Sequence, residues 1–256
     1  MSSSQRIGLA LGGGAALGAA HIGVLHALAD HNIQPEIITG TSAGALVGAA
    51  FAAGLPLDLI EEKVRTATWA TFGQFTVAPR LALLDSSVLS ASVALLGNEP
   101  RIEDLPRRFA AVTTDLRTRA SVVLTHGPLD LALRASIAVP GLFPPVAWDG
   151  RLLVDGVLTD NLPIRPARDL GADIVIAVRL YGGRKLAATR RTTAAPGGAA
   201  SPDAETLIIE PQLRQLSKWS RSDVPRIIDE GRRAAEATLG AVQLGQQRHE
   251  ASPDKH

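Results

Sequence analysis

An α/β protein with a mainly parallel, helix-covered central sheet is the fold the sequence predicts, on three observations. Short apolar runs of strand length alternate with longer runs of helical character, the pattern of repeated βα units. Each of the first two apolar runs meets a glycine-bearing turn and then a helix-like segment: Gly12-Gly13-Gly14 follows the first, and Gly40-Thr41-Ser42-Ala43-Gly44 the second. The chain has 256 residues, 46% hydrophobic and 20% charged, enough apolar material for a full core in one large domain with a tail.

Taken in order, Ile7 to Leu11 reads as the first buried strand and His21 to His31 as the first helix. Ile37 to Thr39 reads as the end of a second short strand, and Ala43 to Gly54 as the second helix. From Leu57 to Asn98 the pattern is helical but interrupted by Gly73, Pro79 and serine-rich turns, a helical excursion between strands where a lid or substrate-binding cap would sit. Phe109 to Asp115 and Ala120 to Thr125 read as strands, followed by a helix from Leu129 to Ala138 that stops at Pro140-Gly141. The sheet resumes at Arg151 to Val154 and at Asp173 to Val178. Residues 182–205, rich in Gly, Ala, Thr and Arg and without apolar periodicity, read as a mobile insertion. Arg184, Lys185, Arg190 and Arg191 within it admit two readings, contact with anionic lipid and, the favoured one, charges that keep a linker solvated. Thr206 to Glu210 supplies a late strand, Val224 to Leu239 a final amphipathic helix, and residues 246–256 a polar tail; no internal repeat is present.

Charge and composition exclude several functions. Lys and Arg number 26 against 25 Asp and Glu, a net charge of +1, which argues against a nucleic-acid protein relying on a strong basic field. Without cysteine there are no disulfides, thiolate metal sites or cysteine nucleophile, so any nucleophile is an oxygen or an amine. The six histidines, His21, His26, His31, His126, His249 and His256, fall in no metal-ligand spacing, and no metal site is expected. Arg6 before an apolar Gly/Ala stretch imitates a signal peptide, yet Gly12-Gly13-Gly14 breaks the helical core such a peptide needs. Ile37 to Leu57 is a long uncharged run, but its glycines and strand-turn pattern favour a βα unit over a membrane span. The expected setting is the cytoplasm.

Ser42 lies in a G-x-S-x-G pentapeptide between the second strand and the second helix. A strand-to-helix turn there holds a hydroxyl on a sharp elbow, and the flanking glycines let strand and helix approach each other. The alternative is an ordinary serine N-cap after a glycine turn. The glycine loop admits three readings: a bare tight turn, a dinucleotide site whose G-x-G-x-x-G spacing it does not reproduce, and an oxyanion hole. For the last, both βα turns emerge at one end of a parallel sheet, bringing the N–H groups of Gly13 and Gly14 toward Ser42.

A serine nucleophile needs a base. An α/β-hydrolase triad wants a histidine on a late loop, whereas His126 comes early, His249 and His256 belong to the polar tail, and His21 reads as a packed residue of the first helix. Asp155 is the better candidate, because it ends the apolar run Leu152-Leu153-Val154 and Gly156 lets the chain turn away. Its alternative is an Asp-Gly turn between strands. Asp115, before an arginine-rich turn, and Asp160, in a loop, are its rivals. A carboxylate with the ordinary pKa of about 3.9 is a weak base toward serine, so Asp155 in this role requires desolvation, which Leu153 and Val154 supply.

In this order, Gly12 to Leu25, Gly40 to Gly44 and Asp155-Gly156 resemble the patatin-like phospholipase family. Thr113-Thr114-Asp115-Leu116, Ala135 to Phe143 and Asp155 to Pro163 resemble its other recurrent blocks, so the likeness runs from Ile7 to about Leu239. It is closest to the short bacterial members related to the neuropathy target esterase catalytic domain. The resemblance implies a three-layer α/β/α patatin-like fold in a domain over residues 5–240, and a serine esterase or lipid acyl hydrolase of phospholipase A or lysophospholipase type. Ser42 is then the nucleophile, Asp155 the base, and the backbone N–H groups of Gly13, Gly14 and Ala43 the oxyanion donors. No cofactor is expected. The expected partner is a lipid or acyl-ester substrate, and peripheral contact at the inner membrane is compatible with a cytoplasmic protein; the sequence carries no signal of oligomeric state. Two positions depart from the family pattern: Leu17 stands where an Arg or Lys is usual, and Val157 where the block continues Asp-Gly-Gly or Asp-Gly-Ala. Leu17 keeps in view a lipid-binding or regulatory relative with weakened catalysis, and a separate alternative is an esterase with a Ser-His-Asp triad built on His126 or His249.

Overall fold

The structure, a computed structural model, describes residues 5–66, 74–75, 84–85, 99–181, 205–217 and 221–250. Strand β1 (Ile7–Leu11) passes through a 3-10 turn (Ala15–Ala19) into helix α1 (Ala20–Asp30). Strand β2 (Ile37–Thr41) is buried along its whole length and gives way after Ser42 to α2 (Ala43–Ala52), with α3 (Leu57–Thr66) next. Burial on both faces is what a central strand of a helix-covered sheet requires, and it is why these runs lack apolar–polar alternation.

Where a helical excursion is expected, two short strands, β3 (Gln74–Phe75) and β4 (Leu84–Asp85), form an antiparallel pair. The expected cap otherwise falls outside the described residues. Strands β5 (Arg108–Asp115) and β6 (Ser121–Leu124) and helix α4 (Leu129–Ser136) follow as the pattern predicts. Strand β7 (Val146–Trp148) escapes the sequence pattern because only three residues separate Pro145 from the turn to β8 (Arg151–Asp155). That turn, Asp149-Gly150, has φ of 44° and 73°, the Asp-Gly geometry of a tight hairpin. Helix α5 (Ile164–Asp169) is likewise unforeseen, its short run concealed by Pro163 and Pro166.

Strands β9 (Ile174–Val178) and β10 (Glu205–Ile209) and helix α6 (Val224–Glu250) complete the chain. Glu205 already belongs to β10, so residues 182–204 of the expected insertion are those outside the described set. Helix α6 also runs through the first residues of the expected 246–256 tail. Gln, Arg and Glu are good helix formers, and polarity alone does not end a helix; Pro253 comes only later.

The main sheet has the order β10-β9-β1-β2-β5-β8-β7, with β6 also paired to β5. From β10 to β5 the pairings are parallel, and beyond β5 they are antiparallel. Strand β2 pairs with β5 up to Thr41 opposite Val112, and β8 pairs with β5 from Asp155 opposite Thr113. Because β6 overlaps both registers, it occupies the opposite edge of β5, so β2 and β8 meet end to end along one edge. Successive residues of the parallel strands pack into separate cores. Leu9, Leu11 and Ile38 face the larger cluster with residues of α1, α2, α4 and α6, whereas Ala10, Ile37, Val175 and Ala177 face a smaller one with Ala167 of α5. A sheet with helices on both faces makes the three layers.

Candidate active site

The end-to-end meeting of β2 and β8 brings Ser42 and Asp155 together. Ser42 has φ 53° and ψ −120°, a backbone conformation that non-glycine residues rarely adopt. Room for the elbow comes from Gly44, where a Cβ would lie 2.1 Å from the Leu11 carbonyl oxygen. The Ser42 side chain makes no cap bond to α2; its hydroxyl donates to Asp155 Oδ2 at 2.8 Å. Asp155 Oδ1 accepts from the Val157 N–H at 2.9 Å. Burial pushes the Asp155 carboxyl up to about 6, while the Val157 N–H and the Ser42 hydroxyl pull the other way. Gly156 lets the chain leave the sheet beside β5, since a Cβ there would meet the Val112 carbonyl oxygen at 2.3 Å.

The rival carboxylates are engaged elsewhere. Asp115 Oδ1 accepts the N–H groups of Arg117 and Thr118, which hold its turn and lower its pKa. Asp160 is half-buried; burial raises the pKa of its carboxyl, which accepts the Leu162 N–H, and its backbone carbonyl accepts from Thr41 Oγ1 at 2.8 Å.

At the glycine loop the three expected oxyanion donors are placed differently. The Gly13 N–H already points to Asn161, to its side-chain oxygen at 3.0 Å and its carbonyl at 3.3 Å. The N–H groups of Gly14 and Ala43 have no acceptor among the described residues. The loop is pinned by the Gly12 N–H to the Val178 carbonyl and by His21 Nε2, which donates to the Gly12 carbonyl at 2.8 Å. His21 is fully buried, and desolvation lowers its pKa to about 4, so the ring is neutral with its proton on Nε2. Leu17 is buried in the larger core, and Val157 packs against the loop at Gly13.

No histidine joins Ser42 among the described side chains. His126 lies beside Thr125 Oγ1 at 3.5 Å, the His249 side chain and His256 are outside the described set, and the Ser42 hydroxyl goes directly to Asp155. Among the described residues no group of three or more His, Asp or Glu converges as metal ligands, and no helix is long and apolar enough to cross a membrane.

Two elements of the site escape sequence reasoning. Ser136, at the end of α4, accepts the Ser42 N–H on its hydroxyl at 2.9 Å and donates to the Val112 carbonyl at 2.7 Å. Ala138, two residues on, accepts the Asp155 N–H at 3.0 Å. Their signal was the family-like block Ala135 to Phe143, which by itself assigns no role to its serine. Exposed apolar side chains also flank the site in sequence. Val139 follows Ala138, Val157 and Leu158 follow Asp155, and all three are exposed. Tyr181 is exposed too; burial and then the Asp155 charge raise its phenol above the ordinary value. Two shallow cavities of about 240 and 300 Å³ lie elsewhere, around Leu25, Phe51 and Arg107 and around Arg6, Glu36 and Arg108, at the other end of the parallel strands.

Comparison with known proteins gives a consistent answer. The model of the patatin-like phospholipase family matches residues 9–168. An uncharacterised NTE family protein of Mycobacterium tuberculosis is 42% identical over 191 residues, covering 71% of this chain and 51% of that protein. Patatin-like phospholipase domain-containing protein 7 of mouse is 36% identical over 187 residues, covering 70% of this chain and 14% of the mouse protein. The chain thus spans about half the length of the mycobacterial relative. Among solved structures, VipD from Legionella pneumophila superimposes with a TM-score of 0.56 at 14% identity, over 91% of this chain and 67% of that one, a likeness of fold.

Proposed function

Because the chain belongs to the patatin-like phospholipase family, whose substrates are lipids, we propose that it is a serine acyl hydrolase of phospholipase A or lysophospholipase type that works through a Ser42–Asp155 dyad. The observation that supports this most is the 2.8 Å hydrogen bond from the Ser42 hydroxyl to a buried carboxylate whose pKa lies near 6. At neutral pH that carboxylate is ionised yet more basic than an exposed one, the combination a general base toward serine needs.

In the proposed reaction the Ser42 oxygen attacks the ester carbonyl as its proton passes to Asp155 Oδ2. Charge on the former carbonyl oxygen is held by the N–H groups of Gly14 and Ala43, which have no acceptor among the described residues. Gly13 contributes when Asn161 releases its N–H. Collapse of the tetrahedral intermediate breaks the bond to the alcohol, which leaves with the proton from Asp155, and an acyl-serine remains. Asp155 then takes a proton from water, whose oxygen attacks the acyl-serine; collapse releases the fatty acid and returns the proton to Ser42. The Ser42 backbone, at φ 53°, presents the hydroxyl at the elbow and needs no main-chain rotation to attack. Val139, Val157, Leu158 and Tyr181 offer an apolar surround for the acyl chain. They also suit a protein meeting the surface of a lipid aggregate.

The test is turnover of a short-chain aryl ester and of phosphatidylcholine vesicles by the wild type, Ser42→Ala and Asp155→Asn, with folding verified by circular dichroism. Both folded variants are expected to lose activity toward every ester the wild type cleaves. Unchanged turnover by either variant overturns the dyad.

A further inference from the structure

The seam between β2 and β8 contains a side chain where a continuous ladder would have backbone. Thr41 is the last β2 residue paired to β5, opposite Val112, and β8 begins its own pairing one residue further along, at Thr113. In the gap, the Ser42 N–H does not reach a β5 carbonyl. It donates to the hydroxyl of Ser136, and that hydroxyl donates onward to the Val112 carbonyl. Ser136 is wholly buried. Its oxygen is thus a bridging atom that water cannot easily replace, satisfying two backbone groups at once.

The same short segment also holds the other half of the dyad, because the Ala138 carbonyl accepts the Asp155 N–H at 3.0 Å. Thr114 adds a third fixing point, its hydroxyl donating to the Asp155 carbonyl at 2.9 Å. Residues 136 to 138 therefore touch the backbone of both Ser42 and Asp155, and neither contact involves the reacting atoms. Ser42 needs such support, since nothing in its own φ of 53° favours the elbow. An unheld Ser42 N–H would let the peptide relax and swing the hydroxyl away from Asp155 Oδ2.

We infer that Ser136 is a positioning residue for the hydrolytic reaction, setting the Ser42 elbow against Asp155 through its two hydrogen bonds. This inference rests on the Ser42–Asp155 reading above. It has a distinct signature, because Ser136 touches no substrate atom: its loss lowers the reactivity of Ser42 while leaving substrate binding alone.

The experiment compares the wild type with Ser136→Ala and Ser136→Cys, and with Ile227→Ala as a remote core variant that also lowers the melting temperature. Three quantities are read: the second-order rate of fluorophosphonate labelling at Ser42, kcat and KM for a soluble aryl ester, and the melting temperature. Ser136→Ala is expected to lower both labelling rate and kcat by roughly 10- to 100-fold, the scale of a displacement of about 1 Å at a reacting group, with KM within about twofold of wild type. Ser136→Cys, nearly the same size but a weaker donor and acceptor, is expected to fall between the two. Ile227→Ala is expected to label at the wild-type rate below its melting temperature. Labelling by Ser136→Ala or Ser136→Cys at the wild-type rate would overturn the positioning role, as would a loss in which KM rises and kcat holds. Should Ser42→Ala remain active, it is the dyad reading that fails, and the two failures are separable.

Discussion

The parallel and antiparallel halves of the sheet build the site by different means. On the parallel side, β1 and β2 deliver main chain: a glycine loop whose Gly14 N–H has no acceptor among the described residues, and a strained elbow for which Gly44 makes room between strand and helix. On the antiparallel side, β5, β8 and the end of α4 deliver side chains, namely the buried Asp155 carboxylate, the Ser136 hydroxyl and Thr114. The proposed nucleophile comes from the first half and its proposed base from the second, and the two side chains meet because β2 and β8 share one edge of β5. A parallel βα turn is good at presenting backbone donors and a short-armed nucleophile. An incoming antiparallel strand can aim a carboxylate at that turn from the opposite direction. Substitutions should therefore break the main-chain contributions through fit and the side-chain contributions through chemistry.

The largest effect expected is on turnover. Ser42→Ala and Asp155→Asn, one from each half, should each lower kcat/KM on the order of a thousandfold or more, measured with an aryl ester on folded protein. Stability then separates the halves. Gly44→Ala drives a methyl into the Leu11 carbonyl and is expected to lose about 3 kcal/mol or more, read by urea denaturation. Asp155→Asn should do the opposite. The folded-state pKa of about 6 lies above the ordinary 3.8, so the folded protein binds this proton more tightly than the unfolded chain. The carboxyl therefore costs stability increasingly from about pH 4 to 6 and by a constant amount above, on the order of 3 kcal/mol at ~1.4 kcal/mol per unit. The amide variant should equal the wild type near pH 4 and exceed it at pH 8; equal stability at both pH values would refute the buried-carboxylate account. The smallest effect belongs to the apolar surround. Leu158→Ser, at an exposed position, should raise KM for long-chain esters roughly two- to tenfold and leave short-chain esters and the melting temperature unchanged.

The halves also differ in how legible they are. Glycine spacing announces the parallel half, because Gly12 to Gly14 and Gly40 to Gly44 are required by close approach and backbone exposure, constraints that leave a residue type behind. Asp155 is legible as an acid at the end of an apolar run, and Asp155-Gly156 carries the steric need for glycine beside Val112. Ser136 is not, since one serine at a helix end looks like any other until the register of β2 and β8 leaves a gap for its hydroxyl. Ala138 acts through its carbonyl, which any residue possesses. The Asn161 contact to Gly13 is invisible for a similar reason: it depends on where a loop after β8 returns to one after β1. Strand β7 and helix α5 are too short and too interrupted by proline to show periodicity.

That Ser42 is activated directly by Asp155 is tested most directly by the pH dependence of fluorophosphonate labelling, followed at Ser42 by mass spectrometry, in wild type and Asp155→Asn. The wild type is expected to label at Ser42 alone, with a rate that rises through a midpoint near pH 6 as the carboxyl ionises and is level above it. Asp155→Asn should label at least about a hundredfold more slowly at pH 8 and lose the midpoint. Labelling of the amide variant at the wild-type rate, with the same midpoint, would contradict the dyad and require a different base.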